Sequence, residues 1–155
     1  MRARSIVNTI LGVVLMGSGV LASEVLASAP AGATKSHPRL VVRPSGSLKN
    51  SQTVKVRGLH FTPNDAVYLV ECLAKATGQA GCDISTTVPV TINAKGAFGW
   101  TKFKVKTGDI GTATCGTKRT DLKKCAISAG NVTGGDSTVA RITFVMPSPK
   151  NKGKA

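Results

Sequence analysis

From Leu40 onward, apolar and polar residues alternate in short runs, broken about every ten residues by Gly, Pro, Asn or Asp. No stretch keeps the 3.6-residue period of a helix buried on one side, so the pattern predicts an all-β domain. The expected strands are Leu40–Arg43, Thr53–Gly58, Ala66–Leu73, Val88–Ile92, Ala97–Val105, Lys124–Ala129 and Thr138–Val145. Seven short strands in a chain of this length suggest a sandwich of two antiparallel sheets. Thr62-Pro63-Asn64-Asp65 and Asn93-Ala94-Lys95-Gly96 carry residues that pre-set or tolerate turn geometry, and the second is expected to close a hairpin.

Two runs depart from simple alternation. In Ala66–Leu73, the two-residue period sends Val67, Leu69 and Glu71 to one face and Tyr68, Val70 and Cys72 to the other. Both faces are partly apolar, so the outer one either has a covering element, lines a concave site, or is a greasy solvent face. In Ala97–Val105, Phe103 and Val105 share one parity, Phe98 and Trp100 the other. A bulge near Trp100 would bring all four into the core, the reading preferred here; otherwise Phe98 and Trp100 form an exposed patch.

The N-terminus follows a different logic. Arg2 and Arg4 precede a segment, Ile10–Ala22, without charge until Glu24, which is too short for a membrane span and has the form of an export signal. Small-residue cleavage patterns end at Ala29 and Ala33, and Pro30 after the first favours the second; a retained anchor is the alternative. The expected organisation is a signal peptide over 1–33, a flexible tail over 34–38, one domain over 39–147 and a basic tail over 148–155. The product would be secreted and monomeric, with no membrane partner after cleavage.

Cleavage removes Arg2, Arg4 and Glu24, leaving 122 residues with 19 basic and 6 acidic side chains, a formal charge of +13. Such an excess concerns solubility and anionic partners, not fold. The loop Thr117–Lys124 concentrates part of it, and Lys118, Arg119, Lys123 and Lys124 are candidate contacts to DNA or another polyanion, or else a solvated basic loop. Four cysteines in an exported chain read as two disulfides. Three pairings are open, of which Cys72–Cys82 and Cys115–Cys125 would each staple a short loop; a zinc site is disfavoured because no close Cys pair or suitably spaced His accompanies them. Catalysis finds no support: His37 lies in the tail, His60 beside a turn, no nucleophile motif is present, and the carboxylates are scattered. No catalytic residue and no metal are expected.

The ordered pieces Val42-Arg43-Pro44-Ser45-Gly46-Ser47-Leu48, Val54-Lys55-Val56-Arg57-Gly58, Phe61-Thr62-Pro63, Val67-Tyr68-Leu69-Val70-Glu71-Cys72, Gly81-Cys82-Asp83, Asn93-Ala94-Lys95-Gly96, Gly111-Thr112-Ala113-Thr114-Cys115 and Cys125-Ala126-Ile127-Ser128-Ala129 resemble the apoproteins of neocarzinostatin-type enediyne chromoproteins. The resemblance implies a seven-stranded immunoglobulin-like sandwich, the two local disulfides, and a non-covalently held apolar chromophore in a cleft; no other cofactor is implied. By position it assigns the cleft to Tyr68, Val70 and Cys72, to Ala74 and Cys82 at the first disulfide, and to Ala126, Ser128 and Gly130. Three places lack the family's aromatics: Ala74, the short segment Thr107–Thr114, and Thr86-Thr87. The family's familiar members are acidic, and this domain is basic. A carrier of an apolar small molecule and a basic module for a polyanion are therefore the two functional expectations.

Overall fold

A computed structural model describes residues 36–146; the expected signal over 1–33 and basic tail over 148–155 lie outside the described residues. In chain order the described strands are β1 (Arg39–Arg43), β2 (Thr53–Leu59), β3 (Ala66–Leu73), β4 (Cys82–Thr91), β5 (Phe98–Lys104), β6 (Gly108–Ile110), β7 (Ala113–Cys115), β8 (Cys125–Gly130) and β9 (Ser137–Ile142), with a 3₁₀ turn at Gln79–Gly81. A three-stranded sheet, β1-β2-β5, packs on a four-stranded sheet, β4-β3-β8-β9; β6 and β7 form a separate ribbon. All these pairings are antiparallel. The architecture is an immunoglobulin-like sandwich.

The strands number nine among the described residues, not the expected seven. The extra pair lies between Gly108 and Cys115, where three-residue strands are too short to show a period. Gly111 closes their turn at φ +56°, and a Cβ there would strike the backbone of Ala80, Gly81 and Cys82, so the ribbon abuts the first disulfide loop. β4 starts at Cys82, well before Val88, because a bulge between Leu69 and Glu71 of β3 lets pairing continue to Glu71–Asp83 and Cys72–Cys82. β9 ends at Ile142, and beyond it Phe144 bridges Leu48 in parallel.

The inner faces share one core. Val54, Val56, Val67, Leu69, Ile92, Phe103, Ile127 and Ile142 are all buried within it. Phe61 and Phe98 add a tilted ring pair 5.8 Å apart, in the geometry aromatic quadrupoles favour.

The turn at Asn93–Gly96 forms, but it does not close a hairpin. It carries the chain from β4, at the edge of one sheet, to β5, at the edge of the other. Gly96 N–H donates to Asn93 O (2.9 Å), and the Asn93 side-chain carbonyl accepts from Lys95 and Ala97. Gly96 sits at φ +72° with the Phe61 carbonyl where a Cβ would be.

The expected bulge is present in β5: Val56 pairs with Thr101 but Gly58 pairs with Phe98. It turns Phe98 inward beside Phe103, yet Trp100 stays outside, 44% exposed. Core packing of Trp100 is thus corrected. The bulge absorbs one parity change, which buries the residue before it and leaves the one inside it on the outer face.

Candidate functional site

The four-stranded sheet has an inner face in the core and an outer face that is not uniformly polar. On β3 the faces divide as alternation requires, with Val67, Leu69 and Glu71 buried inside and Tyr68 and Val70 outside. Register extends this outer face across the sheet, through the row Val70–Ser128–Val139 and the row Tyr68–Gly130–Ser137. These rows floor a cleft of about 550 Å³, within the range typical of small-molecule sites.

One wall is the first disulfide and its loop. Cys72 and Cys82 are bonded, which holds β3 against the start of β4, and Ala76, Gly78 and Gln79 of the loop face the cleft. The opposite wall is the β8–β9 loop, with Asn131, Val132 and Asp136. Hydrogen bonds across the sandwich end fix this loop: Asn131 Nδ2 donates to Asp65 Oδ2 (2.6 Å), and Asp136 Oδ2 accepts from the Thr62 amide (2.5 Å). Both acceptors are thereby committed to structure.

Of the positions assigned from sequence, Tyr68, Val70, Cys72, Cys82, Ser128 and Gly130 all line this cleft. Ala74 and Ala126 do not. Ala126 points to the same side but is fully buried one row further along, between Cys72 and Arg141 in register. Ala74 lies just past β3, its amide donating to Lys124 O (2.7 Å), and belongs to the junction with β8.

Sequence reasoning missed Ile84, Val139 and Val132, although all three line the cleft. Ile84 hides in the polar run Asp83–Thr87, and Val139 in the expected strand Thr138–Val145, whose two faces the sequence reading did not assign. Thr87 also lines the cleft, its hydroxyl donating to Ile84 O (2.7 Å). Thr86 has a structural role: its hydroxyl donates to Asp83 O (2.7 Å) and accepts from the Glu71 amide (2.9 Å), bridging the bulge between β3 and β4.

Glu71 lies beneath the cleft floor on the core side, wholly buried. Its Oε2 accepts from the Lys106 amide (2.9 Å), and Oε1 has no partner. Burial pushes its carboxyl up from 4.5 to about 7, against the lowering pull of that hydrogen bond. Lys106 also pairs through its ammonium with Asp83, and this bond and those from Ser85 hold the Asp83 carboxyl below its ordinary value. Glu71 comes near Cys115 and Cys125, but those sulfurs are bonded to each other.

The second disulfide, Cys115–Cys125, closes the basic loop. Asp121 clamps it from inside, accepting from the amides of Thr117 (2.8 Å) and Lys118 (2.7 Å) and from the hydroxyls of Thr114 and Thr117. Burial alone would raise the Asp121 carboxyl, but these bonds outweigh it and hold it low. Lys118, Arg119, Lys123 and Lys124 are all exposed around this clamp, and none lines the cleft.

The sequence profile of the neocarzinostatin family matches residues 40–144, which is most of the chain. The chain belongs to the neocarzinostatin family. It is 30% identical over 112 residues to macromomycin of Streptomyces macromomyceticus, covering 69% of this chain and 76% of that protein. The structure of macromomycin superposes with a TM-score of 0.55 at 28% identity, over 70% of this chain and 99% of that one. The solution structure of apokedarcidin superposes with a TM-score of 0.50 at 23% identity, over 71% of this chain and 100% of that one, a likeness of fold. Neocarzinostatin-family proteins are enediyne chromoprotein apoproteins, carriers and not enzymes.

Proposed function

We propose that this protein is a secreted carrier that holds an apolar small molecule in the cleft floored by Tyr68, Val70, Ser128 and Val139. One observation supports this above all: of the seven large hydrophobic side chains exposed among the described residues, four (Tyr68, Ile84, Val132 and Val139) converge on this cleft. Scattered exposed apolar residues are ordinary, but convergence on one concavity marks a ligand site. The first disulfide adds polarizable surface, and Ser128 and Thr87 on the floor with Gln79 and Asn131 on the walls give the pocket its polar groups. Fully burying an exposed large apolar side chain contributes about 1.5–3 kcal/mol, and Tyr68, Ile84 and Val139, already partly covered, would each contribute a fraction of that. Family members bind an apolar enediyne chromophore, which points to the ligand class. With Thr86 and Thr87 where family members place aromatics, the cleft suits a ligand that relies less on ring stacking. The family's carrier role and the use of Asp136 as a loop acceptor both favour binding without chemistry.

The test is titration with the neutral dye N-phenyl-1-naphthylamine, chosen because an anionic dye would respond to the basic surface. One dye is expected to bind per protein with enhanced emission, and Ser128→Trp, which fills the floor, should abolish it. Dye emission that is absent, or unchanged by Ser128→Trp, refutes the carrier reading.

A further inference from the structure

The outer face of the other sheet is as one-sided in charge as the cleft is in hydrophobicity. β1, β2 and β5 together carry Arg39, Arg43, Lys55, Arg57, Lys102 and Lys104 and no acidic residue. Their register puts like charges directly opposite: Arg43 faces Lys55, and Lys55 faces Lys102, a row of three cations across three strands. Such pairs destabilise a sheet. None of the six makes an ion pair among the described residues, where the pairing found is Lys106 with Asp83. The arrangement lowers stability without an internal counter-charge, so its counter-charge is external.

Trp100, the only tryptophan of the chain, stands among these cations. The β5 bulge holds it on the surface, with the guanidinium carbons of Arg57 and Arg43 at 5.0 and 5.8 Å from its ring centroid. A polymer of bare charged groups has no use for a planar ring, and a membrane would be met by more than one exposed apolar side chain. Phosphates spaced along a chain with flat bases between them match both features: cations track the backbone while an unpaired base stacks on the ring and its guanidinium neighbours.

We infer that the outer face of β1-β2-β5 is a binding surface for single-stranded nucleic acid, with Lys55, Lys102, Lys104 and Arg43 meeting phosphates and Trp100 stacking a base. It lies on the side of the sandwich away from the cleft, so it acts independently of any small molecule held there. It also carries more cations than the loop of Lys118, Arg119, Lys123 and Lys124, and unlike that loop it has an aromatic residue among them.

The experiment uses a 15-residue oligodeoxythymidylate and the purified protein. Trp100 emission is expected to be quenched on binding, with affinity falling with salt at a logarithmic slope of about −3 for the four phosphates met. By anisotropy of labelled oligonucleotide, Lys55→Glu/Lys102→Glu should weaken binding more than tenfold and flatten the slope, and Trp100→Ala should weaken it about tenfold. Lys118→Glu/Arg119→Glu should change it less than threefold. All substituted positions but Trp100 are solvent-facing charges, and circular dichroism confirms folding. The inference is overturned if the oligonucleotide leaves Trp100 emission unchanged, or if the loop variant abolishes binding that the face variant keeps. It is equally overturned if long-chain polyphosphate binds as well as the oligonucleotide and Trp100→Ala affects neither. Phosphatidylglycerol vesicles that shift the emission where the oligonucleotide does not would assign the face to a membrane and overturn it too.

Discussion

Replacing Glu71 by Gln should make the protein more stable at alkaline pH and abolish a pH dependence that the native chain carries. The side chain is fully buried, with one oxygen bonded to the Lys106 amide and the other unpartnered, and its carboxyl is raised from 4.5 to about 7. The folded protein thus keeps a proton that the unfolded chain has already released. A raised carboxyl leaves stability whole below pH 4.5, erodes it as pH rises, and stops eroding it above pH 7. At 1.36 kcal/mol per pH unit, linkage gives a loss of about 2.5 kcal/mol between pH 5 and pH 8 from this group alone. Gln keeps the carbonyl acceptor for Lys106 and cannot ionise. Urea unfolding of both proteins at pH 5, 6, 7 and 8 provides the assay, and their difference cancels groups that titrate in both. The gap should be small at pH 5 and grow to about 2 kcal/mol or more in favour of the Glu71→Gln variant at pH 8. A gap that stays constant across this range refutes the reasoning.

Three further outcomes are expected. Gly96→Ala should cost more than about 1 kcal/mol in thermal unfolding, since it meets both the φ of +72° and the Phe61 carbonyl. Cys72→Ala/Cys82→Ala should lower unfolding free energy by about 3 kcal/mol for a loop of separation 10, and should also weaken dye binding because the cleft loses a wall. Asp121→Ala should expose the amides of Thr117 and Lys118 to faster hydrogen exchange. Because the Asp121 carboxyl is held low, its stabilisation is present above the ordinary carboxylate range and lost as pH falls through the lowered value. The same exchange should therefore appear in the native protein only under strong acid.

Much of the frame was readable because alternation and cysteine spacing are local. The faces of β3 follow from the two-residue period, and both disulfides join residues ten apart. What escaped depends on neighbours from distant parts of the chain. Glu71 shares its parity with Val67 and Leu69, yet alternation alone does not reveal that a carboxyl at that position keeps its proton. Trp100 could be placed beside a bulge, but not on one side of it. The first half of β4 was hidden because Asp83–Thr87 looks like a loop until Thr86 is seen bonded to the Glu71 amide. Val139 became part of the cleft only when register set it beside Ser128. The cation row exists because Lys55 and Lys102, 47 positions apart in sequence, are cross-strand partners.

That row also gives the molecule a preferred orientation. With six cations on the outer face of one sheet and the cleft on the outer face of the other, the protein should settle on any anionic support with its cationic side down. With four further cations exposed on the second disulfide loop, adsorption on a sulfonated resin would therefore yield a layer in which molecules with cleft mouths open toward the solution predominate, loaded or emptied without release from the surface.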